Sequence, residues 1–243
     1  MPSFCALLSG GKDSNYALYR ALREGWKARC VLVVRSARED SWMFHTPLVS
    51  LAKLQVEAMG LESALVEASV SGVKEQEVEE LANAIEKAWR DRKFNMLVVG
   101  ALASRYQYER ISRIAGRLGL HVYAPAWRYD PYDYMRMIVS EGLRFVISKI
   151  SVMGLPSRLL GMPVEDTVLE EVLSRAERYG FHPAFEGGEA ETLVYDAPHY
   201  RKRLCLKAKR KALSMYEHVL DVEEAWLGDK KSRCIWVDGE LVA

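Results

Sequence analysis

The chain has no long apolar run, almost no net charge and few cysteines, and each absence excludes a class of protein. No stretch reaches the roughly 20 apolar residues that a membrane-spanning helix needs. No basic segment precedes the apolar residues at the start of the chain, so we expect no signal peptide. Thirty-four lysines and arginines against 33 aspartates and glutamates leave a net charge of +1, which argues against a chain-wide field for nucleic acid. What is present, 243 residues of which 49% are apolar, predicts one large globular domain or two modest ones.

The four cysteines, Cys5, Cys30, Cys205 and Cys234, stand far apart and form no C-x-x-C pair. Zinc ribbons and redox dithiols need such close pairs, and disulfide scaffolds need denser cysteines. We therefore expect four free thiols in a reducing compartment, and a cytoplasmic protein.

Short β-rich runs alternate with helical patterns in the first half of the chain. The predicted strands are Phe4–Ser9, Ala28–Val34, Ala64–Ala68, Met96–Gly100 and His121–Ala124, and the predicted helices are Asn15–Glu24, Pro47–Met59, Glu75–Arg92 and Tyr108–Leu118. Apolar strands that alternate with helices favour a parallel sheet covered on both faces, so we predict a doubly wound α/β domain over residues 1–127. An aromatic, turn-rich segment then begins a predicted smaller α+β domain, residues 128–243, which ends in a hairpin at 235–242.

The strongest chemical signal is the sequence SGGKDS between the first predicted strand and the first predicted helix. Two glycines bring backbone N–H groups close to an anion, and the helix that follows adds its positive end. Lys12 can bind phosphate oxygens, and Asp13 can cap the helix or hold magnesium. The alternative is a turn that only links strand to helix, with Ser14 as its cap. The residues predicted to bind ATP and its pyrophosphate here are Ser9, Gly10, Gly11, Lys12, Asp13 and Ser14.

This segment resembles the pyrophosphate loop of the N-type ATP pyrophosphatases, the PP-loop superfamily. Members of that superfamily cleave ATP to AMP and pyrophosphate while they adenylate a carboxylate or carbonyl oxygen. Three further segments resemble one branch, the diphthine–ammonia ligases or diphthamide synthases: DSWMFH at 40–45, GALASRYQYER at 100–110 and EGGEAET at 186–192. Ala190 departs from the aromatic residue usual in that branch. The resemblance implies an adenine nucleotide alpha hydrolase-like (HUP-type) fold for the first domain.

Ligands of open parallel sheets bind beyond the carboxyl ends of the strands, so we expect 9–14, 40–45 and 100–110 to meet at one crevice. Ser104, Gln107 and Arg110 are three residues apart and share one helix face. We expect these three and Gly100 to bind ATP, with Arg110 as a clamp on the α-phosphate or AMP. A surface ion pair for Arg110 and a plain helix cap at Ser104 stay open.

The acidic segment at 186–192 places three carboxylates around two glycines. It is either a solvated turn or a site for a cation: magnesium, the quaternary ammonium of diphthine, or ammonium. Trp127 or Tyr195 would suit an aromatic wall, and packing roles for both stay open. His45, near Asp40, is either a core residue or a functional one. The residues predicted to bind the substrate are His45, Tyr106, Glu186, Gly187, Gly188, Glu189, Glu191 and Thr192.

By resemblance, the chain is expected to adenylate the diphthine carboxylate on translation elongation factor 2 and to amidate it with ammonium. ATP and Mg²⁺ are the implied co-reactant and metal, and the residues predicted to be catalytic are Lys12, Asp13, Arg110 and Glu189, with Asp13 as the metal ligand. We expect no membrane and no nucleic-acid partner, and a homodimer is compatible with the sequence. A PP-loop enzyme acting on tRNA and a non-catalytic module binding AMP or ATP remain alternatives. The basic tract at 201–211 is either a solvated face or a docking surface.

Overall fold

Two separate β-sheets organise the chain in a computed structural model, and each lies in its own unit, Met1–Trp127 or Arg128–Ala243. The structure describes residues 1–36, 49–73 and 76–243. No helix in these ranges combines the length and apolar character needed to cross a bilayer.

Strands and helices alternate along the described part of the first unit. In chain order its elements are β1 (Ser3–Leu7), α1 (Lys12–Arg23), β2 (Lys27–Ser36), α2 (Val49–Met59), β3 (Leu65–Val70), α3 (Gln76–Arg92), β4 (Met96–Val98), α4 (Arg105–Arg117) and β5 (His121–Tyr123), with a 3-10 turn at Glu62–Ala64. The strands pair in parallel in the order β3-β2-β1-β4-β5. The predicted parallel α/β sheet is therefore confirmed.

The burial of the central strands explains this arrangement. Three consecutive residues of β1, Phe4 to Ala6, and five consecutive residues of β2, Cys30 to Val34, are buried. Buried runs of this kind belong to strands covered on both faces, as in parallel sheets. Leu81 and Ile85 of α3 pack into the same core.

The second unit is built on a mixed sheet. Its elements are α5 (Pro131–Ser140), β6 (Arg144–Ile150), α6 (Asp166–Tyr179), β7 (Ala190–Asp196), β8 (Arg203–Ala212), β9 (His218–Gly228), β10 (Ile235–Val237) and β11 (Glu240–Leu241), with a 3-10 turn at Ser157–Leu159. The strand order is β11-β10-β8-β9-β6-β7, and only β8 and β10 pair in parallel. The α+β character and the terminal hairpin of β10 and β11 are confirmed.

The basic tract forms most of strand β8, an element that the sequence analysis did not identify. Its period of two was the available signal, because Leu206 and Ala208 point inward while Lys207 and Lys209 are exposed. Lys207 pairs with Glu224, and Lys209 and Arg210 form ion pairs as well. Acidic residues of the same unit thus neutralise much of the tract.

The expectation of four free thiols is wrong, because the structure joins the cysteines in two disulfides. Cys5 and Cys30 are register partners on neighbouring strands β1 and β2, with Cα atoms 4.2 Å apart. Cys205 and Cys234 have Cα atoms 5.0 Å apart. Separations of 25 and 29 residues along the chain hide both pairs from a search for closely spaced cysteines.

Candidate functional site

The segment Ser9–Ser14, here called the phosphate loop, follows β1. The strand order of the sheet reverses at β1. From β1 the chain passes to β2 and β3 on one side, whereas β4 and β5 lie on the other. In open α/β sheets the crevice at such a switch point is where ligands bind. The fold thus places segment 9–14 at the switch point of the first sheet.

Hydrogen bonds between the two serines close the phosphate loop. The Ser9 and Ser14 hydroxyl oxygens are 3.1 Å apart, and the backbone N–H of Ser9 donates to Ser14 Oγ at 3.2 Å. The N–H of Gly11 donates to Ser9 Oγ at 3.4 Å. Gly11 is the N-cap of α1, so no side chain covers this end of the helix from the cap position, and Ser14 is not the cap. Ser9 is exposed, which leaves this side of the loop accessible.

Lys12 and Asp13 form an ion pair at the start of α1. Lys12 Nζ donates to Asp13 Oδ2 at 2.9 Å, and the lysine is almost fully buried while Asp13 is half-buried. This contact places a positive and a negative charge side by side at the positive end of a helix. A carboxylate oxygen is a ligand that Mg²⁺ prefers, so Asp13 fits a magnesium ion that takes its remaining ligands from phosphate and water. In the described ranges, no three histidine, cysteine, aspartate or glutamate side chains cluster into an all-protein metal site.

Two buried side-chain amides, those of Asn15 and Gln55, donate hydrogen bonds to carbonyl oxygens of the phosphate loop. The sequence analysis identified neither residue. Gln55 of α2 donates from Nε2 to the carbonyl oxygen of Gly10 at 2.9 Å. Asn15 of α1 donates from Nδ2 to the carbonyl oxygen of Gly11 at 3.0 Å and lies 3.5 Å from Gln55 Oε1. The signal for Gln55 was its place between Leu51 and Met59 on the buried stripe of α2, where an amide is unexpected.

Gly100, which follows the end of β4, packs directly on the backbone of the phosphate loop. A Cβ atom at this position would lie 2.3 Å from the carbonyl carbon of Asp13 and 2.4 Å from the amide nitrogen of Ser14. Only glycine allows this approach. The structure therefore brings two of the predicted segments, 9–14 and the start of 100–110, into contact.

Arg110 lies on the first half of α4 and stacks on Tyr106. Its guanidinium carbon is 3.2 Å from the centre of the Tyr106 ring, and Nη1 donates to the Tyr106 carbonyl oxygen at 3.4 Å. Ser104 immediately precedes the helix and accepts from the N–H of Tyr108 through its carbonyl oxygen. The side chain of Gln107 and the whole segment 40–45, including His45, lie outside the described residues.

In the second unit, the segment His182–Glu189, here called the acidic glycine loop, is held by its own side chains. Glu189 accepts from the N–H of His182 at Oε1 (2.9 Å) and from the N–H of Gly187 at Oε2 (2.8 Å). His182 Nδ1 in turn accepts from the N–H groups of Ala184 and Glu186. A Cβ at Gly187 would lie 2.6 Å from Glu189 Oε1, so this position favours glycine. Both oxygens of the predicted catalytic carboxylate Glu189 are thus directed into its own loop.

The other residues of EGGEAET differ in burial. Glu186 and Glu191 are half-buried, Gly188 has a positive φ of 85°, and Thr192 is buried on β7. Glu191 is the register partner of Lys149 on β6.

Both candidates for an aromatic wall make contacts within their own units. Trp127 stacks on Tyr108, with ring centres 4.2 Å apart. Tyr195 is buried and its hydroxyl donates to Glu165 Oε1 at 3.3 Å. Burial, with the nearby Glu165 carboxylate, raises the pKa of Tyr195 above its ordinary value. Both side chains are engaged in packing within their own units.

Two family models together match most of the chain. The diphthamide synthase N-terminal domain matches residues 3–122, and the diphthamide synthase C-terminal domain matches residues 130–227.

Curated relatives and one solved structure add to this match. The chain is 29% identical over 218 residues to a protein of Danio rerio named diphthine–ammonia ligase, which covers 83% of this chain and 85% of that protein. It is 28% identical to the Homo sapiens protein of the same name, over 82% of this chain and 80% of that protein. The relative of that name in Saccharomyces cerevisiae is also 28% identical, but the match spans only 33% of its length. A solved structure described as a predicted subunit of tRNA methyltransferase from Methanocaldococcus jannaschii is 17% identical, and the match covers 80% of this chain and 96% of that one. Its TM-score is 0.39, so the likeness is too distant to support an argument.

Proposed function

Since the chain belongs to the diphthamide synthase family, we propose that it is an ATP-dependent ligase that converts the diphthine carboxylate of translation elongation factor 2 into the amide of diphthamide. The observation that carries this proposal is the phosphate loop at the switch point of the first sheet, in a chain that matches both domain models of the family. A cytoplasmic location is part of the proposal, because elongation factors work there.

The first unit would bind ATP. The phosphate loop would hold the β- and γ-phosphates through backbone N–H groups and Lys12, which would stabilise the charge that gathers on a departing pyrophosphate. Arg110 would contact the α-phosphate or AMP. Mg²⁺ held by Asp13 would supply further neutralisation of phosphate charge when bound.

The reaction would need two steps. One oxygen of the diphthine carboxylate attacks the α-phosphorus, the bond from that phosphorus to the bridging oxygen breaks, and pyrophosphate leaves with the electron pair. Ammonia then attacks the acyl carbon, the bond to the AMP oxygen breaks, and the nitrogen gives up a proton. A carboxylate is a poor acyl donor, and its conversion to a mixed anhydride with AMP removes that barrier, so the enzyme mainly orients groups and stabilises charge.

The second unit would recognise the diphthine-bearing protein. Glu186 and Glu191 would face the quaternary ammonium of diphthine, whereas Glu189 would act through the shape of the acidic glycine loop. Free ammonium is the proposed nitrogen source.

Pyrophosphate release tests the proposed function directly. We expect purified chain and ATP to release pyrophosphate only when both diphthine-bearing elongation factor 2 and ammonium are added, and Lys12→Ala to abolish release while the fold is kept. Release driven by tRNA would instead support a PP-loop tRNA-modifying enzyme. ATP binding without release under any of these conditions would support a non-catalytic module.

A further inference from the structure

Gln55 lies outside every sequence motif of the chain, yet its side chain contacts the phosphate loop from a different helix. We propose that Gln55 is a positioning residue that turns the loop's peptide groups so that their N–H donors face the phosphates of ATP. This inference rests on the proposed function, because it requires the loop to bind ATP.

The contact is buried and joins distant parts of the chain. Gln55 is 0% exposed, and its Nε2 donates to the carbonyl oxygen of Gly10 at 2.9 Å across 45 residues of sequence. Asn15, also 0% exposed, donates to the next carbonyl oxygen, that of Gly11, at 3.0 Å. Two consecutive carbonyl groups of the loop therefore each accept a hydrogen bond from a buried amide.

The direction of the carbonyl groups fixes the direction of the donors. In a trans peptide the C=O of one residue and the N–H of the next point in opposite directions. With the Gly10 carbonyl held by Gln55, the N–H of Gly11 points the opposite way and donates to Oγ of the exposed Ser9 at 3.4 Å, a long bond that a phosphate oxygen would replace. The Gly11 carbonyl oxygen accepts from Asn15 Nδ2, from the Asn15 backbone N–H at 3.2 Å and from Ser14 Oγ at 3.1 Å, so the N–H of Lys12 points away from these donors, toward the start of α1. Successive N–H groups that converge on one side form an anion-binding nest.

A buried amide at position 55 does not favour the stability of the fold by itself. It occupies a buried stripe between Leu51 and Met59, and an amide buried among apolar side chains is unfavourable unless it is hydrogen-bonded. A methionine of similar length would suit that stripe better. The amide donates to Gly10 and lies 3.5 Å from Asn15 Nδ2, which itself donates to Gly11, and these contacts are the reason to assign Gln55 to the loop.

The test compares nucleotides with and without the departing pyrophosphate. Calorimetric titration of ATP, inorganic pyrophosphate and AMP would be measured for the wild type, Gln55→Met and Gln55→Glu, with melting temperatures alongside. We expect Gln55→Met to weaken ATP and pyrophosphate about tenfold, because one carbonyl loses its donor, and to change AMP less than twofold. Gln55→Glu should weaken ATP further, since a carboxylate oxygen would then face the Gly10 carbonyl oxygen.

Val56→Ala is the matched control, because Val56 is equally buried on the same helix and its loss removes apolar volume alone. It should lower the melting temperature and leave the Kd of ATP unchanged. Gln55→Met keeps a side chain of similar length on the buried stripe of α2, so it carries the test even where Gln55→Glu unfolds. An unchanged Kd for ATP and pyrophosphate in Gln55→Met, or an equal loss of AMP and ATP binding, would overturn this inference alone. A wild type that binds no ATP would overturn the proposed function as well.

Discussion

The two candidate loops differ in how they are stabilised. Besides the hydrogen bonds between its own serines, the phosphate loop is held by groups distant in sequence, the buried Gln55 amide and the backbone contact at Gly100. The acidic glycine loop is held by residues at its own two ends, since Glu189 and His182 accept hydrogen bonds from N–H groups within eight residues.

This difference has a practical consequence. A loop held from outside is sensitive to substitutions far away in sequence, whereas a loop that holds itself responds mainly to its own residues. Changes in the two loops should therefore separate ATP binding from use of the protein substrate. The changes below run from the largest expected effect, on stability, binding or turnover, to the smallest.

Removal of the disulfides should produce the largest effect, a loss of stability. Because each unit has one disulfide, this test compares the two units as well as the two loops. Cys5→Ala with Cys30→Ala, and Cys205→Ala with Cys234→Ala, should each lower the free energy of unfolding by about 3–4 kcal/mol. Only the first pair should also weaken ATP binding, because β1 runs directly into the phosphate loop. Chemical denaturation and ATP titration measure both quantities. Four reactive thiols in the unreduced wild type would contradict the disulfides.

Gly100→Ala should come next, with ATP binding about 100-fold weaker, or ~2.8 kcal/mol. The added Cβ would meet backbone atoms of Asp13 and Ser14, which cannot move aside like a side chain. Gly116→Ala on α4 is the control, because a Cβ there meets no atom within 4 Å. The control should keep the wild-type Kd, and an unchanged Kd in Gly100→Ala would show that the loop does not depend on this contact.

Glu189→Gln should reduce pyrophosphate release with the protein substrate about 30-fold while the Kd of ATP stays unchanged. The glutamine NH₂ group would face one of the two backbone N–H donors, so the acidic glycine loop loses a bond and its shape. Glu177→Gln, an exposed change on α6, is the matched control and should have no effect. Loss of ATP affinity in Glu189→Gln would mean instead that this carboxylate serves the nucleotide.

Mild acid should have the smallest effect and act on the second unit. Burial, together with the charge of Lys230, lowers the pKa of His199 to about 3, below its ordinary value of 6.5. The unfolded chain therefore binds the proton first, so stability is full above pH 6.5 and falls as the pH drops toward 3. We expect a loss of about 1 kcal/mol between pH 6.5 and 5.5, measured by denaturant titration. His199→Gln should flatten this slope, and an unaltered slope would assign it to other groups.

Much of the fold followed from local patterns. Sequence alone predicts the apolar runs of β1 and β2 and the SGGKDS segment between β1 and α1, because each feature depends on residues adjacent in the chain. Strand β8 was not predicted, because the lysines and arginines on its exposed face obscure the alternation of Leu206 and Ala208.

The remaining features depend on which distant residues become neighbours. The Cys5–Cys30 pair requires the register of β1 against β2, and the need for glycine at position 100 appears only once β4 lies beside β1. Gln55 is distant from any motif, and only its polarity on a buried helix stripe could have drawn attention to it. Side-chain bonds such as those of Glu189 are likewise invisible in a motif, which records the residue and not its direction.

Transfer of oxygen-18 from substrate to product tests the central claim most directly. Elongation factor 2 carrying diphthine labelled in its carboxylate would be incubated with the chain, ATP and ammonium, and the AMP analysed by mass spectrometry. If the carboxylate attacks the α-phosphorus, one labelled oxygen appears in AMP and none in pyrophosphate. Label in pyrophosphate or inorganic phosphate, or unlabelled AMP alongside amidated product, would contradict the account.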